Sequence, residues 1–110
     1  MDSQKRRILC VEDDTDTLFL LRTMLQAWVY DVVSAGTVSH AALLAKCSIF
    51  DLYLLDTRLA DGTGIELCHK IRTFDPNTPI IFYSGASNEI DRRHATEAGA
   101  QAYILKPADL

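Results

Sequence analysis

Asp51-Leu52-Tyr53-Leu54-Leu55-Asp56 (DLYLLD) places four apolar residues in a row and then stops on an acid. So short a run, without alternation, reads as a strand buried on both faces, the kind found in parallel sheets covered by helices. The same pattern returns in both directions. Upstream, Arg7 to Val11 (RILCV) ends abruptly in Glu12-Asp13-Asp14. Tyr30 to Ser34 is short and β-branched, with Gly36 closing it. Downstream, Pro79 to Tyr83 (PIIFY) ends on Ser84-Gly85, and Ala102 to Leu105 ends on Lys106-Pro107.

Helical periods fill the gaps. Leu18, Leu21, Leu25 and Trp28 recur at helical spacing, with Thr15 or Asp14 available as N-cap. Thr37 to Lys46 carries an Ala- and Leu-rich face. Asp61-Gly62-Thr63-Gly64 signals a turn, and Ile65, Cys68 and Ile71 mark a third helix stopped by Asp75-Pro76. Asn88 to Ala98 is a polar helix closed by Gly99. The order βαβαβαβαβ specifies one α/β unit over residues 1–110, with helices on both sides of a parallel five-stranded sheet.

Of the 110 residues 48% are apolar, enough for a core, and the formal net charge is -4. The basic cluster Lys5-Arg6-Arg7 immediately precedes an apolar run and reads as the solvated start of a strand. An acidic domain without a basic stripe is a poor candidate for direct nucleic-acid binding. No apolar stretch approaches the ~20 residues of a membrane span, and the N-terminus lacks the order of a signal peptide. Cys10, Cys47 and Cys68 form no CxxC pair; their apolar or helical contexts predict buried free thiols and a reducing, cytoplasmic setting. His40, His69 and His94 fall on separate helices without metal-like spacing.

In an open parallel sheet the functional crevice lies beyond the carboxyl ends of the strands, where strand order reverses. Four of the five expected strands deliver a reactive group there: Glu12 and Asp13, then Asp56, Ser84 and Lys106. With a flavodoxin-like, doubly wound order 2-1-3-4-5, the first and third strands are neighbours, so Glu12, Asp13 and Asp56 crowd together. Three carboxylates in one pocket repel unless neutralised. Mg²⁺ (or Mn²⁺) suits them, since it takes one or two carboxylates and leaves positions for phosphate oxygens. Lys106 adds a positive charge for a phosphoryl group, and Ser84 a hydrogen bond. Such a pocket offers the charge neutralisation and positioning that phosphoryl transfer needs.

Val11-Glu12-Asp13-Asp14, Leu54-Leu55-Asp56, Tyr83-Ser84-Gly85 and Tyr103-Ile104-Leu105-Lys106-Pro107 together resemble the marks of the response-regulator receiver family of two-component signalling. The likeness runs from about Arg7 to the last residue. It implies that Asp56 is the phosphorylated aspartate, with Glu12 and Asp13 the acidic pair and Asp13 the direct metal ligand. The Arg58 backbone carbonyl would complete the metal shell. Ser84 would be the conformational hydroxyl, Lys106 the essential lysine, and Tyr103 the aromatic that changes rotamer when the hydroxyl moves. The Lys106-Pro107 bond would be cis. The phosphoryl donor would be a sensor histidine kinase or a histidine phosphotransfer protein. Ala60 stands where that family often has proline, and Arg58 occupies a position that varies.

Three other functions compete. An Asp-nucleophile phosphatase usually carries a second Asp two residues after the nucleophile, where Arg58 stands. A phosphorylation-independent docking module would not need Asp13, Asp56 and Lys106 together. A flavin-binding module would want a hydroxyl-rich loop after the first strand, where acids stand instead. The reading is therefore a signalling switch, not an enzyme acting on outside substrates. The chain stops four residues after Lys106, where receivers usually continue into a fifth helix. The expectation is that these residues are part of a longer protein, or that a second copy covers the strip beside the first helix and last strand.

Overall fold

The computed structural model describes residues 5–85 and 89–106, with the side chains of residues 89 and 90 left aside. The elements in chain order are β1 (Arg7–Val11), α1 (Thr15–Ala27), β2 (Asp31–Ala35), α2 (Val38–Cys47), β3 (Leu52–Leu55), β4 (Arg58–Leu59), β5 (Gly62–Thr63), α3 (Gly64–Arg72), β6 (Ile80–Ser84), α4 (Glu89–Glu97) and β7 (Ala102–Leu105). The main sheet is parallel with order β2-β1-β3-β6-β7, the 2-1-3-4-5 arrangement once the short β4–β5 pair is set apart. That antiparallel pair lies where the sequence read as a plain turn, because Gly62 and Thr63 fold back on Arg58 and Leu59. The Lys106-Pro107 bond and the start of the fourth helix at Asn88 lie outside the described residues.

Strand alternation sends side chains to two cores. Leu9, Val11, Tyr53, Leu55, Ile80 and Phe82 join Ala41, Leu67, Cys68, Ile71 and Ala95 from α2, α3 and α4. Ile8, Cys10, Leu54 and Tyr83 face the other way and meet Leu21 and Leu25 of α1. Arg7 stitches the start of β1 to its neighbours: its amide donates to Asp51 Oδ2 at 2.7 Å, and its guanidinium lies 3.4 Å from Asp31 and over the Phe50 ring. No helix among the described residues is long and apolar enough to cross a membrane.

Two expectations change. Trp28 is the C-cap of α1 and half exposed, because its apolar position falls past the last full turn. Of the two N-cap candidates, Asp14 serves, accepting from the Thr17 amide at 3.0 Å. Cys10 and Cys68 are buried, but Cys47 is exposed, since the inward face of α2 is Val38, Ala41 and Ala45. The three histidines are exposed.

Candidate functional site

β1 and β3 lie side by side, with Val11 in register with Leu55, so the residues after them emerge together at one end of the sheet. The Asp56 amide donates to Val11 O at 2.9 Å, and the Glu12 amide to Ala35 O at 3.0 Å. Those backbone bonds fix where the acids start. One carboxylate oxygen from each of Glu12, Asp13 and Asp56 lies within 4.8 Å of the others. β7 brings Lys106 to the same end: its Nζ is 2.6 Å from Glu12 Oε1 and 3.4 Å from Asp56 Oδ2.

The three acids differ in surroundings. Glu12 is only 3% exposed, with Oε1 on Lys106 and Oε2 accepting from the Asp14 amide at 3.2 Å. Burial pushes its carboxyl up and the Asp56 carboxyl beside it adds to the rise, while Lys106 opposes both. Burial alone would lower the Lys106 ammonium, but its bond to Glu12 and the field of Asp56 outweigh that and hold it above the usual lysine value. Asp13 is exposed and Asp56 half-buried. All donors in the cluster are hard oxygens, the set Mg²⁺ or Mn²⁺ prefers. With Glu12 buried, Asp13 exposed and Asp56 half-buried, the accessible donors are Asp13 and Asp56. The Gly64 amide donates to Thr57 O at 2.9 Å, which makes Arg58 and Thr63 a non-hydrogen-bonded pair across β4–β5, and the Thr63 amide goes to Glu66 Oε1 at 3.0 Å. The pair therefore leaves the Arg58 carbonyl out of cross-strand bonding. The donor set fits such an ion, which Asp13, Asp56 and the Arg58 carbonyl would hold with Glu12 behind them.

The cleft above Asp56 is lined by Thr57, Arg58, Ser84, Gly85 and Lys106. Ser84 ends β6 and is 2% exposed; the Lys106 amide donates to its carbonyl at 2.8 Å. Tyr103 pairs with Phe82 in register, and their rings stack at 6.0 Å. Ser84 and Tyr103 thus share one face of the sheet, with the Arg92 guanidinium of α4 lying 5.5 Å from the Tyr103 ring centroid.

A Response regulator receiver domain model matches residues 8–110. The chain belongs to the response-regulator receiver family. Among curated proteins it is 33% identical over 109 residues to the transcriptional regulatory protein ZraR of Klebsiella oxytoca, covering 99% of this chain and 25% of that protein. It is 37% identical over 102 residues to the cell cycle transcriptional regulator CtrA of Caulobacter vibrioides, covering 92% and 44%. The CheY-like receiver domain from Methanospirillum hungatei superposes with a TM-score of 0.92 at 32% identity, over 96% of this chain and 85% of that one. The chain thus spans between a quarter and under half of these curated relatives.

As a receiver domain, this chain brings Glu12, Asp13, Asp56, Arg58, Ser84 and Lys106 to one end of the sheet, while Tyr103 lies two residues back from the end of β7, opposite Phe82. Three contributors were missed. Thr57 donates its amide to Asp56 Oδ1 at 2.7 Å and bonds Ser84 through its hydroxyl; its place directly after Asp56 was the available signal. Asp61 accepts from the Val38 amide at 2.6 Å and the Ser39 amide at 3.1 Å, tying the loop after Asp56 to α2. At Gly64 a Cβ would sit 2.0 Å from the Asp56 carbonyl oxygen, so α3 starts that close to the acid only because the residue is glycine.

Proposed function

We propose that residues 1–110 form a phosphoacceptor switch in which Asp56 receives a phosphoryl group from a phosphorylated histidine. The supporting observation is the Asp56 carboxylate held between the Thr57 amide and the Lys106 ammonium, beside Glu12 and Asp13. An Asp56 oxygen attacks phosphorus in line, and the bond to the histidine nitrogen breaks. The electron pair returns to the imidazole, and Asp56 becomes an acyl phosphate. Lys106 offsets charge on the transferred oxygens, and the Thr57 amide holds the attacking carboxylate in place. A divalent cation on Asp13, Asp56 and the Arg58 carbonyl would neutralise the acids and polarise the phosphoryl oxygens.

The phosphoryl oxygens then draw in the Ser84 hydroxyl, and Tyr103 turns into the space vacated on the same sheet face. This biases an existing equilibrium rather than creating a state. The donor is a sensor histidine kinase or histidine phosphotransfer protein, met in the cytoplasm. The transcriptional regulators among its relatives favour an output in gene control, executed by a partner segment or protein, with no nucleic acid bound by this domain. Intact mass after incubation with acetyl phosphate and Mg²⁺ tests the reading. One added phosphoryl group is expected, lost in Asp56→Asn and in Asp13→Ala with both variants folded. An unmodified parent chain would leave a docking module as the answer.

A further inference from the structure

Thr57 is buried at 9% exposure beside the acceptor, and its Oγ1 lies 2.5 Å from Ser84 Oγ. Its amide meanwhile donates to Asp56 Oδ1. One residue therefore touches both the acceptor carboxylate and the hydroxyl that answers to it. From this contact we infer that Thr57 is a positioning residue, a latch that holds the Ser84 side chain in its resting orientation and sets how much phosphoryl occupancy is needed to release it. The inference rests on the phosphoacceptor reading of Asp56.

The chemistry is one of competition. A serine hydroxyl has a single proton and phosphoryl oxygens only accept, so Ser84 must point that proton at them to engage. Its backbone is pinned by the Lys106 amide, which leaves rotation of the hydroxyl as the accessible movement. Gly85 adds no obstruction, since a Cβ there would meet nothing within 4 Å. Turning Ser84 toward Asp56 breaks the bond to Thr57, and a bond between buried hydroxyls is costly to leave unmade. If Ser84 donates, its single proton cannot serve Thr57 and the phosphoryl oxygens at once; if Thr57 donates, the bond is lost as the Ser84 oxygen swings away from Thr57 toward Asp56.

Beryllofluoride with Mg²⁺, a stand-in for the phosphoryl group, provides the test, with the Ser84 amide resonance as reporter. Thr57→Val keeps the branched shape and removes the hydroxyl; its half-saturating beryllofluoride concentration should fall about three- to tenfold. Thr57→Ser should stay near the parent value. On a Ser84→Ala background Thr57→Val should change nothing, which a merely structural role would not predict. An unchanged or raised midpoint in folded Thr57→Val overturns the latch. Free and beryllofluoride-bound crystal structures of the parent chain decide the matter independently of any variant. The two oxygens should part beyond hydrogen-bonding distance in the bound form, and a retained bond overturns the inference. A parent chain that does not bind beryllofluoride at all overturns the acceptor reading and this inference with it.

Discussion

Val29 follows the C-cap of α1 with φ of 68°, the one non-glycine residue at positive φ among those described. Its amide donates to Gln26 O and the next amide, of Tyr30, to Leu25 O, which closes the helix as a Schellman turn. That position favours glycine, and a β-branched residue there costs ~1–2 kcal/mol. Glycine would give back ~0.4–1 kcal/mol through the unfolded chain. Because Val29 is 63% exposed, little burial is lost. Val29→Gly should therefore stabilise the domain by about 0.5–1 kcal/mol, read from the midpoint of urea unfolding. At the other end of the sheet, Arg58 is exposed on the lip of the Asp56 cleft. Its always-charged guanidinium can lie across a phosphorylated pocket and hinder the attacking water. Arg58→Ala should shorten the phosphoaspartate lifetime roughly fivefold, the kinetic equivalent of ~1 kcal/mol. A lifetime as long as the parent's would mean that the side chain points to solvent.

Among elements, α2 depends on a loop from elsewhere in the chain. Thr37 caps its first turn by accepting from the His40 amide at 3.1 Å, and Asp61 satisfies the Val38 and Ser39 amides. Those backbone bonds hold the Asp61 carboxyl below its ordinary 3.8. A group depressed on folding contributes stability that is present above its unfolded value and lost as pH falls through the folded one. Asp61→Ala should thus destabilise the domain near neutral pH, and the difference should shrink below about pH 4. Thermal melts of both chains across that range check the sign; a difference independent of pH would assign the loss to packing. The sequence carried the strands and helices well because apolar runs and helical periods are local signals. It did not carry this clasp, since nothing in Asp61 points 23 residues back to Val38. The β4–β5 pair escaped for a related reason: two residues a side leave no alternation to read. The site acids and Lys106 were legible because each falls within two residues of a strand's end. Thr57 was legible only in part: its place after Asp56 is local, but its bond to Ser84 spans 27 residues.

For the molecule as a whole, the two sides of the sheet are unequal. Residues of α2, α3 and α4 pack against one side, while α1 packs against the other, where Ile81 and Ile104 remain partly exposed. The sequence led to the expectation that a second copy or a further helix covers this strip. Each large apolar side chain buried there would be worth ~1.5–3 kcal/mol before entropy costs. Sedimentation of the 110-residue chain is expected to show association that Ile104→Asp abolishes. A parent chain that stays monomeric at all concentrations removes the second copy as the cover.

The exposed thiol of Cys47 bears on how that association is measured. Burial raises the Cys10 thiol to about 12, with Glu12 adding to it, and burial also raises that of Cys68. Neither presents a thiolate to solvent near neutrality, whereas Cys47 stands at the open end of α2. In air, two chains can therefore be joined covalently through Cys47, with two electrons passing to oxygen. Such a bridged species would mimic a dimer by mass while leaving the strip beside α1 uncovered. With a reductant present, or with Cys47→Ser, only the non-covalent partner remains to be counted. The same asymmetry makes Cys47 a natural single point for attaching a dye or spin label, with Cys10 and Cys68 closed to the reagent.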